Sequence, residues 1–298
     1  MTSYLSNSEV ISQLSTVGFC HIRNFLSSHQ VTSILEDVSK FRFSFNSNKP
    51  GGVSTPTQYY NTSLLSISST FFDVVTGSDV QSICSGYFPE SNYRLRCHRY
   101  YETYGNHFMQ WHRDMKIPLV GFKNIPGLIF IIYMSEVVDG EFQYISGSHK
   151  YFPAEGNYDF TDAQILDMFG AHSVISFAGS PGDLIVYNTA GIHRAKPVLR
   201  SNFSRSSLFF QIDSGCNDSE PTYINPSFVN PLNTHILNFL GFGQPSTFPE
   251  YPSTSITTAS STVLFTEILM PYILYLPKRI YRKLISQLVR TKRLLRRF

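Results

Sequence analysis

Cysteine is scarce and scattered. Cys20, Cys84, Cys97 and Cys216 form no C-x-x-C pair, which excludes zinc-finger spacing and gives no disulfide framework. Charge is thin, at 15% of 298 residues, and there is one tryptophan, Trp111. No apolar run is long enough to span a bilayer: the strongly apolar stretch 263–277 is short and broken by Glu267, Pro271 and Pro277. Met1 to Glu9 is polar, without a basic start or an apolar stretch, so the expected location is cytoplasmic, in a reducing interior. No internal repeat is visible. What the chain has is aromatics: 25 Phe and 18 Tyr within 42% hydrophobic residues support a real core. Recurrent short runs of Tyr, Phe, Ile and Val favour a β-rich fold.

The net charge of +3 is unevenly spread. Residues 278–298 carry nine Lys and Arg and no acid, so the rest of the chain is net −6. The body has no nucleic-acid footprint, and no nucleic-acid partner is expected.

Residues 18–26 read as a strand leaving a turn. Ser27 and Ser28 offer an N-cap, and Val31, Ile34, Leu35 and Val38 mark an amphipathic helix over 29–41. The span 44–62 reads as loop, and a second helical stretch covers 69–86. From about 91 the texture changes to short β-type runs: 92–101, 107–114, 127–134, 141–145, 172–177, 183–188, 192–197 and 203–212. One helix interrupts them at 162–169, with Thr161 and Gln164 spaced as a capping box. The expected fold is mainly β, a jelly roll with helices ahead of it. Three regions are expected: a jelly-roll domain over 1–215, a Pro/Ser/Thr-rich arm over 216–262 with a short helix near 232–241, and a helical tail over 263–298.

The run Gln110-Trp111-His112-Arg113-Asp114 has strand character, so His112 and Asp114 share one face. With His193 as a third ligand, two imidazoles and a carboxylate leave about three positions of an octahedral ion open, the arrangement of non-heme Fe(II) oxygenases. A lone His-x-Asp is a weak signal, and a surface strand with an incidental His is the bland alternative. Arg205 lies twelve residues past His193. If 192–197 and 203–212 are adjacent antiparallel strands, its guanidinium reaches the metal pocket and suits the far carboxylate of a 2-oxo acid. Arg200 is the rival, and its turn context favours the surface.

Taken together, Gln110–Asp114, the run Gly140 to Lys150 with its Gly-Ser-His-Lys turn, and Gly182-Asp183 leading to His193 and Arg205 resemble the phytanoyl-CoA dioxygenase family. The resemblance covers roughly residues 10–213. It implies a double-stranded β-helix (jelly-roll, cupin-like) core, and Fe(II), 2-oxoglutarate and O2 as cofactors. His112, Asp114 and His193 become the iron ligands and catalytic centre, and Arg205 the anchor for the distal carboxylate of 2-oxoglutarate. The family often has a hydroxyl two positions after the last His, where this chain has Ala195. Some members place a Trp on the strand after the His-x-Asp, where this one offers Phe130, Ile131 and Tyr133. Cosubstrate contacts from the strand before the His-x-Asp fall to His98, Tyr100 or Asn106. Asp114 favours hydroxylation over halogenation, because halogenases of this type lack the carboxylate.

The implied activity is hydroxylation of a small-molecule or lipid-like substrate, with release of succinate and CO2. The alternative is a non-catalytic jelly-roll metal- or ligand-binding protein attached to a membrane through its basic tail; a zinc hydrolase is the weaker enzymatic variant. Arg205 discriminates, since neither alternative needs a buried guanidinium beside the metal. His149 is expected to make hydrogen bonds and not a metal bond. His107 is expected at the surface, Arg194 on the face opposite the ligands, and Trp111 in the core. The tail, with basic residues around Tyr281, Leu284, Ile285, Leu288 and Leu295, has the composition of a helix lying on an anionic membrane surface.

Overall fold

The computed structural model describes residues 5–42, 51–54, 57–88, 93–104, 109–114, 127–151, 159–200, 203–214 and 223–242. Twelve strands appear among them: β1 (Phe19–Ile22), β2 (Gly52–Ser54), β3 (Gln58–Asn61), β4 (Tyr93–Tyr104), β5 (Trp111–His112), β6 (Leu128–Tyr133), β7 (Val137–Ile145), β8 (Asp159–Phe160), β9 (Val174–Gly179), β10 (Leu184–Asn188), β11 (His193–Ala195) and β12 (Ser204–Ser214). They form two antiparallel sheets. The larger has the order β1-β10-β6-β12-β4-β3-β2 and the smaller β8-β5-β11-β7-β9. This is the expected jelly roll.

Alternation along the strands builds three apolar layers. Leu128, Phe130, Ile132, Leu184, Val186, Leu208, Phe210 and Ile212 face outward from the larger sheet. They meet α1 (Asn7–Thr16), α2 (Ser28–Lys40), α3 (Leu64–Ile67), α4 (Ser69–Thr76) and α5 (Ser78–Tyr87). Phe130 and Phe210 stack at 4.7 Å, with Phe71 edge-on to Phe210 at 6.2 Å. Each such ring contributes about 1.5–3 kcal/mol by burial. The opposite faces, with Ile129, Tyr133, Ile185 and Tyr187, pack between the sheets against Phe142, Tyr144 and Phe177. Trp111, Ile145, Phe160 and Ile192 lie behind the smaller sheet with Ile165 of α6 (Asp162–Phe169).

Several sequence expectations need correction. Residues Asn7–Thr16 form a helix, α1, opened by a Ser6/Glu9 capping box, with Val10 and Leu14 buried and Ile11 packed beside them. The 44–62 stretch is not all loop: within its described part, β2 and β3 pair as a hairpin that extends the larger sheet. The 69–86 helix is two helices that turn at Gly77, where an added Cβ would sit 2.6 Å from the Asp73 carbonyl. The strand around the His-x-Asp is two residues within the described part of 107–114. Helix 162–169, with its Thr161/Gln164 box, is as expected.

Of the 216–262 arm, 223–242 is described. It carries α7 (Thr234–Phe239), and Phe239 and Phe228 pack against Tyr93 and Phe72. Residues 263–298, the expected tail and membrane contact, lie outside the described residues. Among the described residues no helix is long and apolar enough to cross a membrane.

Candidate metal centre

β5 and β11 run antiparallel with His112 directly opposite His193, and the ring centroids are 4.4 Å apart. Alternation sends Trp111 backward and His112 into the space between the sheets. Asp114, two residues on, returns to the same side. Its Oδ2 lies 3.1 Å from His193 Nε2, and its Oδ1 lies 3.7 Å from His112 Nε2. The three donor atoms lie within 4.8 Å of one another. Neighbouring ligands about 2.1 Å from one ion stand about 3 Å apart when the bonds meet at right angles, so the spacing suits a single ion.

The ring tautomers fit as well. His112 Nδ1 lies 2.8 Å from the Gln110 carbonyl and His193 Nδ1 lies 3.1 Å from the Gly191 carbonyl. A carbonyl only accepts, so each Nδ1 carries the proton and each Nε2 presents a lone pair inward. Burial, and then the neighbouring His193, push the His112 imidazole down from its ordinary value. Burial works to raise the Asp114 carboxyl, but His193, His112 and the Tyr187 hydroxyl together outweigh it and hold it low. Neutral imidazole and ionised carboxylate are the forms a cation requires. The Tyr187 hydroxyl donates to Asp114 Oδ2 at 3.4 Å and lies 3.3 Å from His193 Nε2.

The cluster opens into a cavity of about 510 Å³ bounded also by Arg205. The route by which Arg205 arrives differs from the expected one. β11 and β12 are not neighbours: β11 belongs to the smaller sheet and β12 to the larger. The two sheets face each other, and Arg205 reaches the cavity from the opposite wall. Its Nε donates to Thr103 Oγ1 at 2.9 Å, and its terminal nitrogens make no hydrogen bond among the described residues. Burial lowers its pKa, yet a guanidinium stays charged. A half-buried cation with terminal donors unused among the described residues, at a cavity wall, fits a carboxylate ligand.

The strand before the His-x-Asp uses the other face from the one expected. His98 packs against Phe71 in the helical layer, and the Tyr100 hydroxyl donates to Glu102. Arg99, Tyr101 and Thr103 line the cavity instead. A bulge is the cause. Gln211 pairs with Cys97 but Ile212 with Leu95, so Arg96 is the extra residue and the alternation inverts there. Tyr93 and Leu95 face the helices before it, and His98 and Tyr100 after it. Asn106 and His107 lie outside the described residues.

The remaining residues fall as follows. Ile131 and Tyr133 line the cavity, while Phe130 faces the helices. Ala195 lines it too, and the aliphatic hydroxyls among the lining residues are those of Thr103 and Ser207. Arg194 borders the cavity, but its guanidinium is turned to Gln143, Asp162 and the Trp111 ring. Arg200 donates its backbone N–H to Asp139. His149 Nε2 lies 3.2 Å from the Ser15 carbonyl and has no part in the cluster. Tyr187, which the sequence reading missed, had one signal: it falls on the inward parity of β10, six residues before His193.

A jelly roll holding a two-His, one-carboxylate cluster in its mouth is the arrangement of non-heme Fe(II) oxygenases. The model of the phytanoyl-CoA dioxygenase (PhyH) family matches residues 14–207, and the chain belongs to that family. It is accordingly an oxygenase working with Fe(II), 2-oxoglutarate and O2. No curated protein sequence matches the chain significantly. Among solved structures, the fold resembles HygX from Streptomyces hygroscopicus with nickel, 2-oxoglutarate and hygromycin B bound. Identity is 16%, covering 76% of this chain and 100% of that one, with a TM-score of 0.55. The epimerase SnoN from nogalamycin biosynthesis, described as non-heme and alpha-ketoglutarate-dependent, is 14% identical over 70% of this chain and 80% of its own, with a TM-score of 0.53. AviO1 from Streptomyces viridochromogenes Tue57 is 14% identical over 74% and 99%, with a TM-score of 0.53.

Proposed function

We propose that His112, Asp114 and His193 hold the iron, that Arg205 anchors the distal carboxylate of 2-oxoglutarate, and that the enzyme hydroxylates a small-molecule or lipid-like substrate. The observation that carries this reading is the convergence of two Nε2 lone pairs and a carboxylate on one wall of a cavity whose opposite wall supplies Arg205. Iron with 2-oxoglutarate supplies the oxidation: one oxygen atom of O2 leaves in succinate, the other enters the product, and CO2 is released.

The protein's own share is placement. Backbone carbonyls fix both imidazole tautomers, and Tyr187 holds one Asp114 oxygen. Thr103 aims the Arg205 guanidinium. Tyr101, Ile131, Phe142 and Phe209 give the cavity apolar walls that exclude water and receive substrate. Asp114 favours hydroxyl transfer, because the carboxylate fills the coordination position that a halide would need. HygX was crystallised with hygromycin B, which supports a small-molecule substrate for a fold of this kind.

The test is succinate formation from 2-oxoglutarate under air with added Fe(II), assayed on wild type, His193→Ala and Arg205→Ala. Succinate from wild type and none from either variant is expected; equal turnover by His193→Ala ends the reading. For the tail, we propose peripheral contact of residues 278–298 with an anionic membrane. Flotation with anionic liposomes of the full chain, but not of a chain ending at Ser260, is the expected result.

A further inference from the structure

The Gly-Ser-His-Lys turn stands out in the sequence, and its histidine does not reach the metal cluster. Its serine does other work. Ser148 is fully buried. Its Oγ accepts from the Ile192 N–H at 2.8 Å, and its carbonyl accepts from Arg113 Nη2 at 3.3 Å. Ile192 precedes His193, and Arg113 stands between His112 and Asp114. One residue thus grips both segments that bear the cluster, from the face opposite the cavity.

That grip matters because the two strands touch each other over little length: β11 is held by three pairs to β7 and β5 by two to β8, with the Met109 N–H donating to the Ala195 carbonyl at 3.1 Å between the two segments. β5 has two residues and β11 three, and they share the single pair His193↔His112. A slip of one residue would turn His112 outward and Trp111 into the cavity. The turn is itself well anchored. Gly147 adopts φ +77° and donates to the Val17 carbonyl at 2.9 Å, and Ser146 donates to the Ser173 carbonyl at 2.8 Å. On the other arm, Arg113 Nε and Nη1 are buried without hydrogen-bond partners among the described residues, beside the Tyr151 and Phe160 rings. Among the described residues, the Ser148 carbonyl is the one hydrogen-bonding group that locates this guanidinium.

We propose that Ser148 is a positioning residue for the metal cluster, holding His112 and Asp114 on one arm and His193 on the other in the register that brings their donor atoms together. This rests on the assignment of those three residues as the metal ligands.

The experiment is titration of the metal-free full-length protein with Mn(II), reading free Mn(II) by electron paramagnetic resonance well below the melting temperature. Ser148→Ala removes the Oγ arm to Ile192 and leaves the carbonyl arm to Arg113. Loss of the Oγ arm is expected to weaken binding about tenfold, the scale of lost outer supports around a metal, and Ser148→Thr, which keeps the acceptor, is expected to restore it. Asp183→Asn, which loosens the fold away from the cluster, is expected to bind as wild type. Wild-type affinity in Ser148→Ala, where His193→Ala has lost binding, overturns the proposal. So does an equal loss in Asp183→Asn, which would mark general loosening. Unchanged binding in His193→Ala would instead show that the ligand assignment has failed, a distinct outcome.

Discussion

Arg205 Nε donates to Thr103 Oγ1 at 2.9 Å, across the β12–β4 pair in which the two residues stand directly opposite. That bond uses Nε and leaves the forked terminal nitrogens without a hydrogen bond among the described residues. Thr103→Val keeps the shape and removes the acceptor. The expected result is about a tenfold weaker Kd for 2-oxoglutarate, the equivalent of one hydrogen bond, with Mn(II) affinity unchanged. Arg205→Ala should abolish detectable 2-oxoglutarate binding, and Arg205→Lys should recover only part, because a point charge cannot form the fork. Calorimetric titration of the metal-loaded protein checks all three.

Tyr187 bears on the metal in a different way. Its hydroxyl supports Asp114 Oδ2 and stands beside His193 Nε2, and its ring packs on Phe142 at 4.7 Å. Tyr187→Phe preserves that packing. Metal affinity should fall several-fold, in line with about 1 kcal/mol for a lost hydrogen bond, while the melting temperature of the metal-free protein holds. Mn(II) titration and calorimetry separate the two effects.

His98 gives a contrasting case. Burial, and then Arg99, push its pKa down to about 3, so it is neutral at neutral pH, and its buried Nε2 has no hydrogen-bond partner among the described residues. His98→Leu should leave 2-oxoglutarate affinity unchanged and stability equal or higher, since removing an unsatisfied buried polar atom relieves about 1–3 kcal/mol. A loss of cosubstrate affinity would place His98 at the cavity after all.

Why the sequence misplaced His98 yet placed His112, Asp114 and His193 follows from how far each argument must reach. His112 and Asp114 are two residues apart, so strand alternation alone puts them on one face. His193 was marked by being an isolated His in the β run that follows the Pro181-Gly182-Asp183 turn. The faces of β4 depended on a bulge at Arg96, and that extra residue exists only relative to its partner strand. Arg205 was selected for its chemistry, on the assumption that β11 and β12 are neighbours. They lie on facing sheets, and the cavity closes because the sheets meet there. The β2–β3 hairpin was hidden because its polar residues read as loop, and it is held by pairing with β4. Trp111 was legible as core from its parity, while its bond to Asp162 was not, because that partner lies 51 residues away.

Asp183 ties the turn before β10 to the end of β1. It accepts from Arg23 Nη1 at 2.6 Å, Asn24 N at 2.9 Å and Ser180 N at 3.0 Å, and Asn24 takes a left-handed φ of 52° to reach it. Burial favours its protonated form, but these donors prevail and depress the carboxyl below its usual range. A depressed folded pKa means the stabilisation is present above the unfolded value near about 3.9 and is lost as pH falls through the folded value. Asp183→Asn should therefore cost about 2–3 kcal/mol at pH 7, lowering the melting temperature by about 5–10 °C for a domain of this size. The gap between wild type and variant should narrow below pH ~4. A gap that stays constant down to pH ~3 would contradict this reading.

Binding of 2-oxoglutarate to the Fe(II) protein without oxygen tests the centre itself. Chelation of iron by the keto acid gives a visible charge-transfer absorption, and wild type should develop it at one equivalent of 2-oxoglutarate. His193→Ala should show none, and Arg205→Ala should show none at the same concentration. A wild-type protein that holds iron yet stays colourless, or a His193→Ala protein that colours like wild type, would contradict the placement of iron between His112, Asp114 and His193.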